Sequence, residues 1–327
     1  MPDDDHAAQP PARRRKRGVG ARMVVVAAFV AAVLVGVVLA AVHGGVSSGG
    51  SSADGPRTHS SERPSTSSPS RPIPSARPSS PTAGGDDRPR SLAAVGDSIT
   101  RGFDACSLLA DCPSASWSTG TDQGVRSLAA RLLAKPSTQS HNHAVSGSRM
   151  ADLPAQMRRA AADDPDLVTV MTGANDACRA TTAQMTPVAE FRASFRRALR
   201  TLHTAQPRAQ VYVASVPDLK RLWEQGRHNR TSVRVWGLGI CQSMLKDPRS
   251  HQPADEQRRN EVRARVVAYN TVLREVCAED ERCRYDGGAV FRFRFTAAEV
   301  SDWDRFHPSR RGQQQLAELA YEQLTAE

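Results

Sequence analysis

The sequence SLAAVGDSIT, at residues 91–100, joins a short apolar segment to a turn that begins with glycine. Residues 91–95 are apolar enough to form a buried strand. Gly96 allows a sharp backbone turn, which would place Ser98 in a cleft at the tip of that strand. Because Gly-Asp-Ser turns are also common in ordinary loops, this segment by itself is only a weak indication of a functional site.

Apolar segments and helical segments alternate from this point to the end of the chain. The predicted strands are 91–95, 141–145, 167–171 and 211–215, and the predicted helices are 124–134, 151–162, 188–205, 256–278 and 309–324. Short apolar strands that alternate with helices indicate the α/β class, with a parallel sheet covered on both faces. In such folds the ligand site lies at the carboxyl ends of the strands.

The chain before residue 91 has three parts with different compositions. Residues 1–22 are polar and basic, which predicts a cytoplasmic tail. Residues 23–42 are apolar and uncharged, and the run has about the 20 residues that a transmembrane helix needs. Residues 43–90 are rich in Ser, Pro and Gly and predict a disordered linker, which leaves 91–327 as the folded domain.

The flanks of the apolar run predict its orientation. Basic residues precede it and would keep the N-terminus in the cytoplasm, so a single-pass protein with an extracellular folded domain is expected. They are Arg13, Arg14, Arg15, Lys16, Arg17 and Arg22. The alternative is a cleaved signal peptide, which would make the protein secreted. However, the run is longer than the usual ~7–15 residues, and residues 40–43 make a poor cleavage site.

The formal net charge is +10, with a pI of about 9.9. A basic chain raises the possibility of a nucleic-acid partner. The densest basic cluster lies beside the apolar run, where membrane topology explains it, and basic and acidic residues are interspersed in the folded domain. No nucleic-acid partner is therefore expected.

All six cysteines follow the apolar run. An even number in an extracytoplasmic domain suggests disulfides, but six cysteines allow 15 pairings. Loop length favours the pairs Cys106–Cys112 and Cys277–Cys283, which leaves Cys178–Cys241. No C-x-x-C spacing occurs, and the two histidines in His141-Asn142-His143 do not make a site by themselves, so no metal or cofactor is expected.

Three later segments place polar groups at strand ends or in loops. Ser146-Gly147-Ser148 and Gly173-Ala174-Asn175-Asp176 follow predicted strands, and Asp304-Arg305-Phe306-His307-Pro308 precedes the last helix. An asparagine amide can donate a hydrogen bond to developing negative charge. An Asp three residues before a His can orient its imidazole. Taken singly, these segments also fit an ordinary loop, an Asx turn, and a surface salt bridge of Asp304 with Arg305 or Arg310.

Taken together, the order of these four segments resembles the SGNH, or GDSL-type, hydrolase family. Ile99 stands where the family frequently has Leu, a conservative change. The resemblance implies a three-layer α/β/α sandwich with a flavodoxin-like sheet and ester hydrolysis. It also implies the catalytic set of Ser98 as nucleophile, His307 as general base and Asp304 orienting it. The implied oxyanion hole comprises the Ser98 N–H, the Gly147 N–H and the Asn175 amide.

Two aromatic segments have more than one interpretation. Residues 216–253 form a long connection that resembles the loop of secreted, cysteine-containing bacterial lipases and esterases of the family. Its Trp223 and Trp236 either line an acyl site or lid, or pack the connection against the sheet. The alternating phenylalanines of residues 291–295 indicate an edge strand or a loop packed on the core, rather than a nucleic-acid-binding ribbon.

The sequence therefore predicts a membrane-anchored extracellular serine esterase. The first hypothesis is hydrolysis of carboxylic esters, preferably of lipids or acyl chains. The second is removal of O-acetyl groups from cell-envelope polysaccharide, so the expected partner is a lipid or acylated glycan substrate. A third, a non-catalytic surface-binding domain on a stalk, predicts decay of a catalytic set that is in fact complete.

Overall fold

The computed structural model of the protein describes residues 88–326. The predicted tail at 1–22, the predicted anchor at 23–42 and nearly all of the predicted linker at 43–90 lie outside these residues. Among the residues that are described, no helix has both the length and the apolar character that a membrane crossing requires.

A five-stranded parallel sheet forms the middle layer, with strand order β2-β1-β3-β4-β5. The strands are β1 Leu92–Gly96, β2 Ser140–Asn142, β3 Leu167–Met171, β4 Gln210–Val213 and β5 Cys283–Tyr285. Gly96 is opposite Met171 in the register, so the turns that follow β1 and β3 leave the sheet side by side. The predicted parallel α/β fold is confirmed.

Twelve helices accompany the sheet in the described part of the chain. They are α1 Ser98–Arg101, α2 Leu128–Leu132, α3 Pro136–Gln139, α4 Leu153–Ala161, α5 Ala174–Ala177, α6 Val188–Ala205, α7 Leu219–Gly226, α8 Arg230–Trp236, α9 Gln242–Leu245, α10 Pro253–Ala278, α11 Ala289–Arg292 and α12 Arg310–Thr325. Short 3₁₀ turns lie at Pro113–Ala115, Met150–Asp152 and Thr182–Gln184.

Alternating strand residues divide the core into two hydrophobic clusters. Ala93, Val95 and Val168 pack with α4, α6 and α10, whereas Leu92 and Met171 pack with α2 and α12. Because neighbouring residues of a strand point to opposite faces, this division places helices on both sides of the sheet. The fold is a three-layer α/β/α sandwich.

Several predicted boundaries are wrong for local reasons. Residues 124–127 precede α2 rather than belonging to it, because Ser127 caps the helix by accepting a hydrogen bond from the Ala130 N–H. Strand β2 ends at Asn142, although the His143 and Val145 N–H groups still bond to carbonyls of β1. The 216–253 connection contains three helices, α7 to α9.

The segment at 291–295 is not an edge strand. It contains the end of α11 followed by a loop, in which Phe293 and Phe295 pack edge to face with ring centroids 4.8 Å apart. Phe295 packs against the cluster that contains α12. The loop interpretation of this segment is therefore the correct one.

Three disulfides join Cys106 to Cys112, Cys178 to Cys241, and Cys277 to Cys283. These are the pairs that loop length favours. The long bridge spans 63 residues. It connects the end of α5 with the start of α9, and so ties the 216–253 connection to the segment that carries Asn175.

Candidate active site

The turn after β1 fixes the position of Ser98. Gly96 has a φ of +143°, and a Cβ at this position would lie 2.1 Å from the Met171 carbonyl oxygen, so only glycine fits. Asp97 caps α1, since its Oδ1 accepts a hydrogen bond from the Ile99 N–H at 3.0 Å. Ser98 is therefore the first residue of a short helix at the carboxyl edge of the sheet.

Ser98, His307 and Asp304 form a continuous chain of hydrogen bonds. The Ser98 Oγ lies 2.8 Å from the His307 Nε2, and the His307 Nδ1 lies 2.5 Å from the Asp304 Oδ2. The Asp304 Oδ1 accepts hydrogen bonds from the Phe306 and His307 N–H groups at 2.8 and 3.0 Å. This is the order that a nucleophile, a base and an orienting carboxylate require.

The electrostatics of Asp304 favour its ionised form. Burial alone would raise the pKa of this carboxyl, but the hydrogen bonds from His307 and Phe306 hold it below its usual value. The alternative of a surface salt bridge at Asp304 is wrong, because Arg305 pairs with Asp302 at 2.7 Å and Arg310 pairs with Asp122 at 3.3 Å.

The loops expected to supply the oxyanion hole are linked to one another. The Asn175 Nδ2 donates to the Ser148 carbonyl at 2.9 Å, and the Ser148 Oγ donates to the Gly96 carbonyl at 2.8 Å. Gly147 directly precedes Ser148 in the chain. It has a φ of +81°, and a Cβ at this position would meet no atom within 4 Å. Asn175 lines the same cleft as Ser98, whereas Gly147 does not.

Sequence patterns gave no sign of Gln156, which organises this region. Its buried side chain accepts from the Gly96 N–H at 2.7 Å and donates to the Gly96 carbonyl and to the Ser148 Oγ, both at 3.0 Å. One amide thus holds the Gly96 turn against the Ser146–Ser148 loop. A single polar residue within the amphipathic helix α4 carries no local signal that could have identified it.

The cleft beside Ser98 is mostly apolar. Its walls include side chains from three separate segments of the chain: Ile99, Leu219, Leu222, Phe293, Val300 and Phe306. Trp223 and Trp236 do not line it. They are only 5% and 2% exposed, and their ring N–H groups donate to the carbonyls of Pro248 and Arg305. The interpretation of these tryptophans as packing residues is therefore correct.

The two histidines at 141 and 143 have different surroundings and do not share a partner among the described residues. The His143 Nε2 contacts the Asp163 carboxylate, whereas His141 is exposed. The one close group of three potential metal ligands among residues 88–326 contains Asp104 together with Asp304 and His307. In this group, His307 and Asp304 are already hydrogen-bonded to each other.

Comparison with known proteins gives structural relatives of low identity. The extracellular lipase from Streptomyces rimosus is 19% identical, with 71% of this chain and 99% of that chain covered and a TM-score of 0.42. TesA is 19% identical, with 72% and 98% covered and a TM-score of 0.42. A family 3 carbohydrate esterase from Clostridium thermocellum is 14% identical, with 71% and 94% covered and a TM-score of 0.42. No curated protein matches the chain.

A sequence model of the GDSL-like Lipase/Acylhydrolase family matches residues 94–315. The match covers more than half of the chain and contains the Gly96 turn, the loops at Gly147 and Asn175, and both Asp304 and His307. The protein therefore belongs to the GDSL-like lipase/acylhydrolase family and is an ester-hydrolysing enzyme.

Proposed function

We propose that the protein is a serine esterase that cleaves carboxylic esters through an acyl-enzyme on Ser98. The observation that supports this most directly is the chain of hydrogen bonds from Ser98 through His307 to Asp304. A serine hydroxyl is a weak nucleophile until an adjacent base takes its proton. Membership of an ester-hydrolysing family argues against the hypothesis of a non-catalytic binding domain.

In the acylation step, the Ser98 Oγ attacks the ester carbonyl carbon while its proton passes to the His307 Nε2. Asp304 holds the imidazole in orientation and stabilises the imidazolium that forms. The Ser98 N–H, the Gly147 N–H and the Asn175 amide are the proposed donors to the oxyanion. An amide nitrogen has two N–H bonds, so Asn175 keeps one for the oxyanion while the other binds Ser148.

The intermediate then collapses as His307 returns its proton to the leaving alcohol. A water molecule enters, gives a proton to His307 and attacks the acyl group on Ser98. The second collapse releases the acid, and the Ser98 Oγ recovers a proton from the imidazolium. Protons and electron pairs balance over the two half-reactions without any further reactant.

The apolar cleft favours an apolar acyl group, and its size favours a short one. The cleft volume is about 50 Å³. An engineered cavity of about 150 Å³ holds benzene, so about a third of that volume corresponds to an acyl chain of a few carbons. This small volume also supports the second candidate function, which is removal of O-acetyl groups from cell-envelope polysaccharide.

The proposed location is outside the cytoplasm, with the enzyme held at the membrane by residues 23–42. The three disulfides support an oxidising compartment, because cytosolic proteins seldom keep such bonds. The basic residues before the apolar run support the orientation.

The nucleophile assignment is tested by Ser98→Ala. This variant should abolish hydrolysis of p-nitrophenyl acetate and should no longer react with a fluorophosphonate probe. Ser91→Ala is the matched control, since Ser91 precedes the other end of the same strand and its Oγ donates to the Asp164 carbonyl. Retained activity in a folded Ser98→Ala protein would exclude the proposed mechanism.

The substrate class is tested with p-nitrophenyl esters of increasing chain length beside an acetylated polysaccharide. We expect kcat/KM to be highest for acetate or butyrate and to fall for longer chains. Release of acetate from the polysaccharide would favour the second candidate function. A rate that rises with chain length up to long acyl groups would contradict the short-chain assignment.

A further inference from the structure

Asp104 is a buried carboxylate beside the proposed catalytic groups. It is 1% exposed and follows α1 in the chain, with a φ of +56°. One oxygen of Asp104, one oxygen of Asp304 and a ring nitrogen of His307 all lie within 4.8 Å of one another. Two carboxylates therefore face one imidazole, rather than the single carboxylate of the proposed mechanism.

The two carboxylates have different hydrogen bonds. Both oxygens of Asp304 accept hydrogen bonds. The Asp104 Oδ1 accepts the Leu109 N–H, but its Oδ2 is buried and has no hydrogen-bond partner among residues 88–326. The Asp104 carbonyl is held separately by the Ser301 Oγ at 2.7 Å. The position of Asp104 is thus fixed, and its Oδ2 accepts no hydrogen bond from the described residues, although a protonated Asp104 can hydrogen-bond to the Asp304 carboxylate.

The arginines around Asp104 are paired with other carboxylates. From its own segment, Arg101 binds Asp111 at 3.0 Å. From the C-terminal segment, the pairs are Arg305 with Asp302 at 2.7 Å, Arg310 with Asp122 at 3.3 Å and Arg311 with Glu299 at 2.8 Å. Protonated His307 lies beside Asp104, and its charge is the cationic influence that lowers the pKa of Asp104.

Asp104 changes its charge near neutral pH. Burial, followed by the negative charge of Asp304 and a hydrogen bond between the two carboxyls, raises the pKa of Asp104 to about 6, although the Leu109 N–H and His307 act in the opposite direction. The carboxyl is therefore ionised at slightly alkaline pH. A buried, unpaired carboxylate is unfavourable unless a positive charge forms next to it.

We propose that Asp104 is a positioning residue of the ester hydrolysis, whose carboxylate stabilises the His307 imidazolium alongside Asp304. The inference rests on the proposed function. Before attack, two carboxylates face a neutral ring. When the Ser98 Oγ bonds to the carbonyl carbon and its proton moves to the His307 Nε2, the ring becomes cationic and both carboxylates attract it. Asp104 itself neither gains nor loses a proton, and it contributes more in the transition state than in the ground state.

The test is Asp104→Asn, which removes the charge with little change of shape. Asparagine keeps an oxygen for the Leu109 N–H and tolerates positive φ. At about pH 8 we expect kcat for p-nitrophenyl acetate to fall about tenfold. The midpoint of the acid limb of kcat/KM should move to lower pH by about half a unit or more, because one charge that favours the imidazolium is lost.

Asp164→Asn is the matched control. Asp164 is exposed and has a φ of +49°, so this substitution also removes a carboxylate at positive φ, but from a position where its charge is screened by water. This variant should keep kcat within about twofold and should leave the midpoint unchanged. Asp104→Glu, which keeps the charge, should keep the acid limb close to that of the wild-type enzyme.

The outcomes separate the inference from the proposed function. Folding of every variant is checked by its unfolding midpoint, and the Asp variants, which keep Ser98, are also labelled to completion at Ser98 with a fluorophosphonate. The role of Asp104 is overturned if Asp104→Asn loses activity while the midpoint of the acid limb stays in place. It is also overturned if neither kcat nor that midpoint changes. If Ser98→Ala remains active, the proposed function fails first. If Ser98→Ala is inactive and Asp104→Asn behaves like wild type, only the inference fails.

Discussion

Single residues at this site act through partners that are far away in the chain. Gln156 holds both backbone groups of Gly96, and Asn175 reaches the carbonyl of Ser148. These bonds fix the Gly96 turn, Ser148 and the Asn175 side chain relative to one another. A preorganised arrangement of this kind stabilises developing charge at little cost in reorganisation.

Asn175 provides a test of the oxyanion hole. Asn175→Ala should lower kcat for p-nitrophenyl acetate by about 10²–10³-fold, with a much smaller effect on KM. The reason is that the amide would contact the oxyanion more strongly than the substrate carbonyl. Asn260→Ala serves as a control, because Asn260 accepts from Lys220 on an exposed surface. An effect confined to KM would contradict the assignment.

Asp97 makes stability depend on pH. Burial, with a smaller effect of Asp176, raises its pKa from 3.8 to about 7, although its hydrogen bond from Ile99 opposes this. The folded protein therefore holds this proton more tightly than the unfolded chain does, so stability is lost as the pH rises from about 4 to about 7. Above about pH 7 the carboxyl is ionised in both the folded and the unfolded protein, and the loss of stability is complete.

Asp97→Asn removes this effect and keeps an oxygen for the helix cap. Relative to wild type, the free energy of unfolding of the variant should increase by about 2–3 kcal/mol between about pH 4.5 and about pH 8. This difference in the free energy of unfolding is measured by urea unfolding with intact disulfides. The variant Asp302→Asn, at an exposed position, should show no such change with pH. A difference that stays constant with pH would show that Asp97 does not ionise in this range.

At the scale of elements, the junction of β1 with α1 depends on the absence of a side chain at Gly96. Gly96→Ala should lower the free energy of unfolding by about 3 kcal/mol or more, because of its positive φ and the contact with the Met171 carbonyl. Gly237→Ala is the control. Its φ is −62° and its nearest contacts would be at 3.4 Å, so a change within about 0.5 kcal/mol is expected. Equal effects in urea unfolding would contradict the argument.

The central elements were predictable because their patterns are long or unbroken. β3 and α6 have the predicted bounds, since one is a continuous apolar run and the other repeats apolar residues at the helical period. β5 was missed because it has three residues and none of them is fully buried. Periodicity cannot identify a strand that is shorter than the pattern itself.

The same distinction applies to the site. Ser98, Asp304 and His307 stand in motifs whose spacing can be seen in the sequence. Asp104 and Gln156 stand in no motif, and their contacts arise only when segments that are distant in the chain pack together. Sequence patterns therefore predicted the groups proposed to do the chemistry and missed the buried groups that surround them.

At the scale of the whole molecule, the proposed catalytic set lies entirely within the described residues, whereas the proposed anchor precedes them. A protein that starts at residue 88 should therefore hydrolyse p-nitrophenyl acetate with the same kcat as the full chain, within about twofold. The reason is that every group in the proposed mechanism belongs to the sandwich. A large loss of kcat in the folded shorter protein would show that residues 1–87 contribute to the site.

The full chain should sediment with membranes and resist alkaline carbonate extraction, because about 20 apolar residues can cross the bilayer as a helix. A variant that lacks residues 23–42 is the control and should stay in the supernatant. Recovery of the full chain in the soluble fraction, with its N-terminus removed, would instead favour the cleaved signal peptide.

The distance in sequence between the hydrogen-bonded partners Ser98 and His307 is 209 residues. A ribosome makes Ser98 long before His307, so in the proposed mechanism a growing chain carries a serine that no base can activate. During synthesis, a chain that has not yet reached His307 would therefore be unable to attack the esters around it. In the proposed mechanism, hydrolysis becomes possible only after His307 has been made and has packed against Ser98, so the order of synthesis itself delays the activity.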